Sequence, residues 1–300
     1  MGIHLSRRGF LATAAAFAAA PAARADEAKL LTIPVMLAGK GPFNFVVDSG
    51  AERTVLADDV AAMLGLAKSG HASVVGIVRE IPADTVALAH LETGSIAKEN
   101  LQPPVLPRAW VQADGYLGLD VLDGHRVTFD FLQGRLDLAA PVLGFFAGFA
   151  RPDESVLNAA GESGKLRTTD CRVDGIPAVA FLDSGAEVSV GNSTLYRALA
   201  ERGAQFRPGD PMTLTGITGG SVPARTLSIA DAKLGGFNLT TAGLAIADLP
   251  IFERWGLADK PALFVGMDFL RRFSRVSIDY GRKQYRLELA DFTAASRWQS

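Results

Sequence analysis

The chain repeats itself. The run Phe45-Val46-Val47-Asp48-Ser49-Gly50-Ala51-Glu52 returns as Ala180-Phe181-Leu182-Asp183-Ser184-Gly185-Ala186-Glu187. Each copy is a short apolar run that reads as a buried strand, closed by an acid, a hydroxyl, a glycine and a small residue. The Ser-Gly step predicts a tight turn directly after the strand. A carboxylate is thereby set at a strand end, where loops present chemistry on a rigid scaffold. The landmarks after the first copy follow the second in the same order. Gly76-Ile77 answers to Gly216-Ile217, Thr85–Leu88 to Thr226–Ile229, Tyr116-Leu117-Gly118 to Phe264-Val265-Gly266, and Val127–Phe131 to Val276–Tyr280. The spacing between partners lengthens along the chain, as loop insertions in a duplicated domain would make it. A single Asp-Ser-Gly is weak, because an Asp in a turn commonly bonds its own backbone. Two copies inside a collinear repeat predict two lobes that bring two carboxylates together.

The rest of the sequence bounds this reading. At 300 residues, 48% of them apolar, the chain is long enough for two globular lobes. The expected division is a signal over 1–25, a first lobe over 26–140, a linker over 141–164 and a second lobe over 165–300. The net charge of -2 comes without a basic stripe, so no nucleic-acid partner is expected. Cys171 is the only cysteine, which excludes an intramolecular disulfide and a cysteine metal cluster. It reads as a small strand residue. The four histidines lack metal-ligand spacing, and neither a Gly-x-Ser-x-Gly elbow nor a phosphate-binding glycine loop is present. No metal and no cofactor are expected.

The N-terminus is read apart from the fold. Ser6-Arg7-Arg8-Gly9-Phe10-Leu11 precedes an alanine-rich run, and Ala23-Arg24-Ala25 offers a cleavage site. This pattern predicts a twin-arginine export signal and a periplasmic or secreted mature protein. The apolar run is too short to span a bilayer comfortably, so no stable membrane anchor is expected after cleavage.

Several elements follow from local pattern. Lys29–Leu37 predicts a strand, placed at a sheet edge by Pro34. Val55–Leu66 has helical spacing, with Asp58 and Asp59 near its start. Ser73–Val78 and Ala83–Ala89 predict the arms of a hairpin. Asp120, Asp130, Asp268 and Asp279 also repeat and are expected to cap helices or close turns.

With these residues in view, Val47–Leu56 and Leu182–Glu187 resemble the active-site loop of retropepsin-like aspartic proteases. Tyr116-Leu117-Gly118 and Phe264-Val265-Gly266 resemble that family's hydrophobic-hydrophobic-Gly element. The resemblance implies a mainly β, bilobal acid-protease fold of two retropepsin-like β-barrel lobes with short helices. It implies Asp48 and Asp183 as a catalytic dyad, with Ser49, Gly50, Ser184 and Gly185 in support. Substrate contacts would come from Ala51, Glu52, Ala186 and Glu187, and from flaps at Gly76, Ile77, Gly216 and Ile217. Glu52 and Glu187 replace the Asp usual in retroviral enzymes; substrate contact, an ion pair with an arginine and simple solvation all remain open for them. The tyrosine of pepsin flaps is missing near Gly76.

Two close carboxylates cannot both ionise cheaply, so they share a proton. Such a pair can activate water against a peptide bond by general acid–base chemistry, with no covalent intermediate. The partner would be a peptide bound as an extended strand, and the chain a monomer acting as an intramolecular pseudo-dimer. The competing expectations are a catalytically silent periplasmic peptide-binding protein with the same cleft, and a dimer of single-lobe active units.

Overall fold

The computed structural model describes residues 3–4, 30–140, 153–161, 165–205 and 211–289. The expected export signal, including Arg7, Arg8 and Ala23-Arg24-Ala25, lies outside the described residues apart from Ile3–His4, and so does much of the expected linker. Among the described residues no helix is long and apolar enough to cross a membrane.

The molecule is mainly β, with two lobes and short helices. Both lobes are built on one local device. In the first, strand Lys40–Val47 carries the Asp48 loop and strand Val55–Ala57 leaves it. Strand Gly115–Leu117 lies between them, parallel to the former and antiparallel to the latter. In the second, Ala262–Val265 lies between Ile176–Leu182 and Val190–Gly191 in the same senses. Next to the loops, at Phe45–Val47, Val55–Ala57, Gly115–Leu117, Ala180–Leu182 and Ala262–Val265, these strands are buried on both faces. Phe45, Val47, Leu56, Leu117, Leu182, Leu263 and Val265 are each at most 2% exposed. Burial of each such side chain contributes about 1.5–3 kcal/mol. The loops they hold are therefore fixed by core packing.

Each device sits in a seven-stranded sheet. The second sheet also curls, so that Thr168–Val173 pairs with both Ile176–Leu182 and the long strand Ser221–Leu234. Cys171 is buried in that first strand, and burial pushes its thiol up to about 12.

A third, six-stranded sheet joins the lobes. Its centre is the antiparallel pairing of Arg126–Asp130 with Arg275–Asp279. Thr128 faces Ser277 at the middle of the ladder, their hydroxyls 3.0 Å apart. Around them Val127, Phe129, Val276 and Ile278 are at most 1% exposed. Glu154–Asn158, from the expected linker, forms one outer strand on Gln284–Glu288, and Ile3–His4 pairs with Arg135 and Leu136 at the other edge. Asp130 and Asp279 close matching turns, accepting from the amides of Gln133 and Arg282 at 2.9 and 2.8 Å.

Two local expectations need correction. The helix expected over Val55–Leu66 is a strand through Ala57 and a helix only over Asp58–Leu64. Val55 and Leu56 are taken by the Gly115–Leu117 strand, and tertiary pairing overrides helical spacing. The Pro34 strand is interior, lying between Lys40–Val47 and Leu88–Thr93. The second neighbour pairs only at Met36 and Leu37, so the missing Pro34 amide interrupts no ladder bond on that side.

Candidate functional site

The two repeated loops meet face to face. The Ser49 hydroxyl donates to the Leu182 carbonyl at 2.8 Å and accepts from the Ser184 amide at 3.0 Å. In return the Ser184 hydroxyl donates to the Val47 carbonyl at 2.7 Å and accepts from the Ser49 amide at 3.1 Å. Each serine thus reaches into the other lobe, and both are buried. Local turn capping, the ordinary role for such a residue, is not what these hydroxyls do.

This grip sets Asp48 and Asp183 beside each other, 9% and 6% exposed. The Asp48 Oδ1 accepts from the amides of Gly50 and Ala51 at 2.8 and 3.0 Å, and the Asp183 Oδ1 from the Gly185 amide at 3.0 Å. Close approach explains the glycines. A Cβ at Gly50 would stand 2.9 Å from the Asp183 carboxylate, and one at Gly185 would stand 2.4 Å from the Asp48 carboxyl carbon. Burial raises both carboxyls above their ordinary range. Asp183 is pushed well above it, because the Asp48 charge adds to its burial. Their backbone donors oppose this without cancelling it. A proton retained by such a pair belongs to the pair.

A brace behind each loop was not read from the sequence. The Asp120 Oδ1 accepts from the Thr54 amide and hydroxyl at 2.8 and 2.7 Å, and Thr54 Oγ1 accepts from the Gly118 amide. Asp268, Ser189 and Gly266 repeat the arrangement, at 2.9 and 2.6 Å for the two bonds to Asp268. Asp120 and Asp268 therefore tie the returning strand to the hydrophobic-hydrophobic-Gly element, a longer reach than the expected cap or turn. The signal was present in the repeat, since Thr54 and Ser189 stand at matching positions.

The expected substrate-contact residues fall into two groups. Ala51 and Ala186 line the loops, and their carbonyls accept from Leu119 and Met267 amides at 2.8 Å. Glu52 and Glu187 occupy matching positions in unlike settings. Glu52 reaches Lys165 of the second lobe at 2.6 Å and Arg254 at 3.5 Å. Partial burial works against its ionisation, but the two cations outweigh it and hold the carboxyl below its usual range. Glu187 is half-buried, and burial raises its carboxyl against the weaker pull of Arg271. Tyr116 is buried nearby and feels the charges of Asp48, Glu187 and Asp183.

Gly76 and Ile77 lie at the tip of the hairpin Lys68–Val75 with Glu80–Val86, and Gly216 and Ile217 at the tip joining Met212–Thr215 to Ser221–Leu234. The tips touch across the lobe boundary. A Cβ on Gly216 would stand 3.1 Å from the Ile77 side chain, and Ile77 packs against the second lobe's Phe181 cluster. Three residues that sequence reasoning missed join them, namely Arg79, Trp110 and Thr218. Among the described residues no group of three or more His, Cys, Asp or Glu side chains could hold a metal ion.

A family model described as aspartyl protease matches the chain over residues 33–121 and again over 169–269. The chain belongs to the aspartyl protease family. Each matched segment contains one of the paired loops and one hydrophobic-hydrophobic-Gly element, so the aspartyl protease signature is carried twice. The comparison with curated proteins gave no match.

Proposed function

We propose that this aspartyl protease is an exported endopeptidase that hydrolyses peptide bonds with Asp48 and Asp183 as its dyad. The observation that carries the reading is the cross-lobe serine grip, which holds two buried carboxylates together. Water lying between them loses a proton to the ionised member. The protonated member donates to the scissile carbonyl oxygen, and no bond to the enzyme forms. Gly50 and Gly185 leave room for the pair, and the amides of Gly50, Ala51 and Gly185 help keep it oriented.

The substrate reading follows from the two hairpins. An extended peptide lying under both tips could bond to them as an added strand, with water excluded on closure. Gly76, Ile77, Gly216 and Ile217 belong to that roof, and Ala51, Ala186 and Glu187 to the walls. Glu52, held by Lys165 and Arg254, serves chiefly to tie the lobes. Export rests on Arg7, Arg8 and Ala23-Arg24-Ala25. Lysines in place of Arg7 and Arg8 should leave the chain in the cytoplasm, and unchanged export would remove that part of the reading.

The test is incubation of the mature chain with a mixed peptide library, with products identified by mass, in the presence and absence of a peptide isostere bearing a tetrahedral hydroxyl at the scissile position. Cleavage suppressed by the isostere supports the proposal. Isostere binding with no products would instead support the silent peptide-binding role, which no feature of the site favours.

A further inference from the structure

The hairpin tips are fastened by a contact that the repeat does not share. Thr218, in the second lobe's tip, is fully buried. Its hydroxyl donates to the Arg79 carbonyl at 3.0 Å, and the Gly76 amide donates to that same carbonyl at 3.0 Å. Arg79 Nε donates back to the Thr218 carbonyl at 3.0 Å. The Arg79 guanidinium lies over the Trp110 ring, 5.6 Å from its centroid. Trp110 in turn limits the space beside Gly219, where a Cβ would stand 2.8 Å from the indole.

Gly76 makes the socket. A Cβ there would fall 2.3 Å from Thr218 Oγ1 and 2.8 Å from Cγ2, but 3.1 Å from Thr218 Cβ. Gly76 has no positive φ, so the demand is for space alone. Counting from the matched Gly76 and Gly216, the second lobe has Gly219 where the first has Arg79, and the first has Val78 where the second has Thr218. Plug and socket therefore occur once, with the plug on one lobe and the socket on the other.

We propose that Thr218 seated in the Gly76–Arg79 socket is a latch, which must release to admit a peptide and re-form to hold it. Gly76 and Arg79 are positioning residues, and Trp110 is the backstop for the Arg79 side chain. The role in turnover rests on the peptidase reading, whereas the latch itself does not. Between the tips themselves stand one hydroxyl–carbonyl bond and one guanidinium–carbonyl bond, each modest on its own. That suits a contact that has to open in every cycle.

The test is hydrogen exchange by mass spectrometry on the whole mature chain, following residues 74–80 and 214–220, beside peptide cleavage. The variants are Gly76→Ala, Thr218→Ala, their combination, and Arg79→Ala. Gly76→Ala should speed exchange in both tips by about tenfold or more, because opened segments exchange in proportion to their open population. It should raise KM more than it lowers kcat. The double variant should match Thr218→Ala alone, because removal of Oγ1 and Cγ2 leaves the new methyl little to strike. Arg79→Ala should speed exchange in both tips with little change in Tm. Tips that exchange at the original rate in Gly76→Ala, or effects that simply add in the double variant, would overturn the latch. Absence of cleavage in every variant would sink the peptidase reading and leave the exchange result to decide the latch.

Discussion

Ser184 is a small side chain whose hydroxyl makes two bonds across the lobe boundary, donating to the Val47 carbonyl and accepting from the Ser49 amide, while 1% exposed. Ser184→Ala leaves the Val47 carbonyl and the Ser49 amide without their partner. Urea unfolding should show a loss of about 1–3 kcal/mol, the usual cost of buried polar groups left unmatched. A loss within error would mean that the grip is incidental. Asp183 gives the pH-dependent counterpart. Its carboxyl is raised above the ordinary 3.8 by burial and by Asp48, so the folded state binds its proton more tightly than the unfolded state. The stability this contributes is fully present below the unfolded value and is lost as pH climbs through the folded one. Asp183→Asn removes the penalty, so its unfolding free energy relative to the native chain should improve steadily from about pH 4 upward. A difference that is flat with pH would contradict the raised carboxyl. At this scale the sequence was legible where residues repeat. Asp48, Asp183 and the two serines were found because each has a twin. Arg79, Trp110 and Thr218 were not, because each acts through a partner distant in sequence that has no twin.

At the scale of elements, the hydrophobic-hydrophobic-Gly strand works only because it is tied to the loop in front of it. Asp268 accepts from both the amide and the hydroxyl of Ser189. Asp268→Ala should cost about 2–3 kcal/mol, as expected for lost bonds to a partly buried carboxyl acceptor, whereas Asp268→Asn keeps an acceptor oxygen and should cost about 1 kcal/mol or less. Equal losses in denaturant titrations would mean that charge, and not the bond geometry, holds the brace. Sequence pattern located these elements well wherever burial on both faces gave an apolar run, as at Phe45–Val47 and Ala180–Leu182. It failed at Val55–Ala57, where three residues at helical spacing are claimed by strands from far along the chain. It also misplaced the Pro34 strand, because an edge position and a partly unpaired interior position look alike to proline.

For the whole molecule, the duplication accounts for the architecture: two similar sheets, and a third that stitches them through Arg126–Asp130 and Arg275–Asp279. Both halves of the site already lie in one chain. Sedimentation across a wide concentration range should therefore show a monomer, with activity per chain independent of concentration. Activity that falls on dilution would point instead to assembly between chains. The repeat made the two lobes and their meeting legible in advance. The one-sided features stayed hidden, among them the Glu52 ties to Lys165 and Arg254 and the Thr218 latch, because symmetry reasoning predicts only what both lobes share. In the proposed reaction Asp48 and Asp183 act as one unit on a peptide bond. Its most direct test is kcat/KM for a cleaved peptide with the native chain, Asp48→Asn, Asp183→Asn and the double variant, each shown to be folded. Either single change should remove activity by a factor on the order of 10³ or more, and the double should lose little beyond the singles. Cleavage retained near the native rate by either single variant would mean that the two carboxylates are not the catalytic pair.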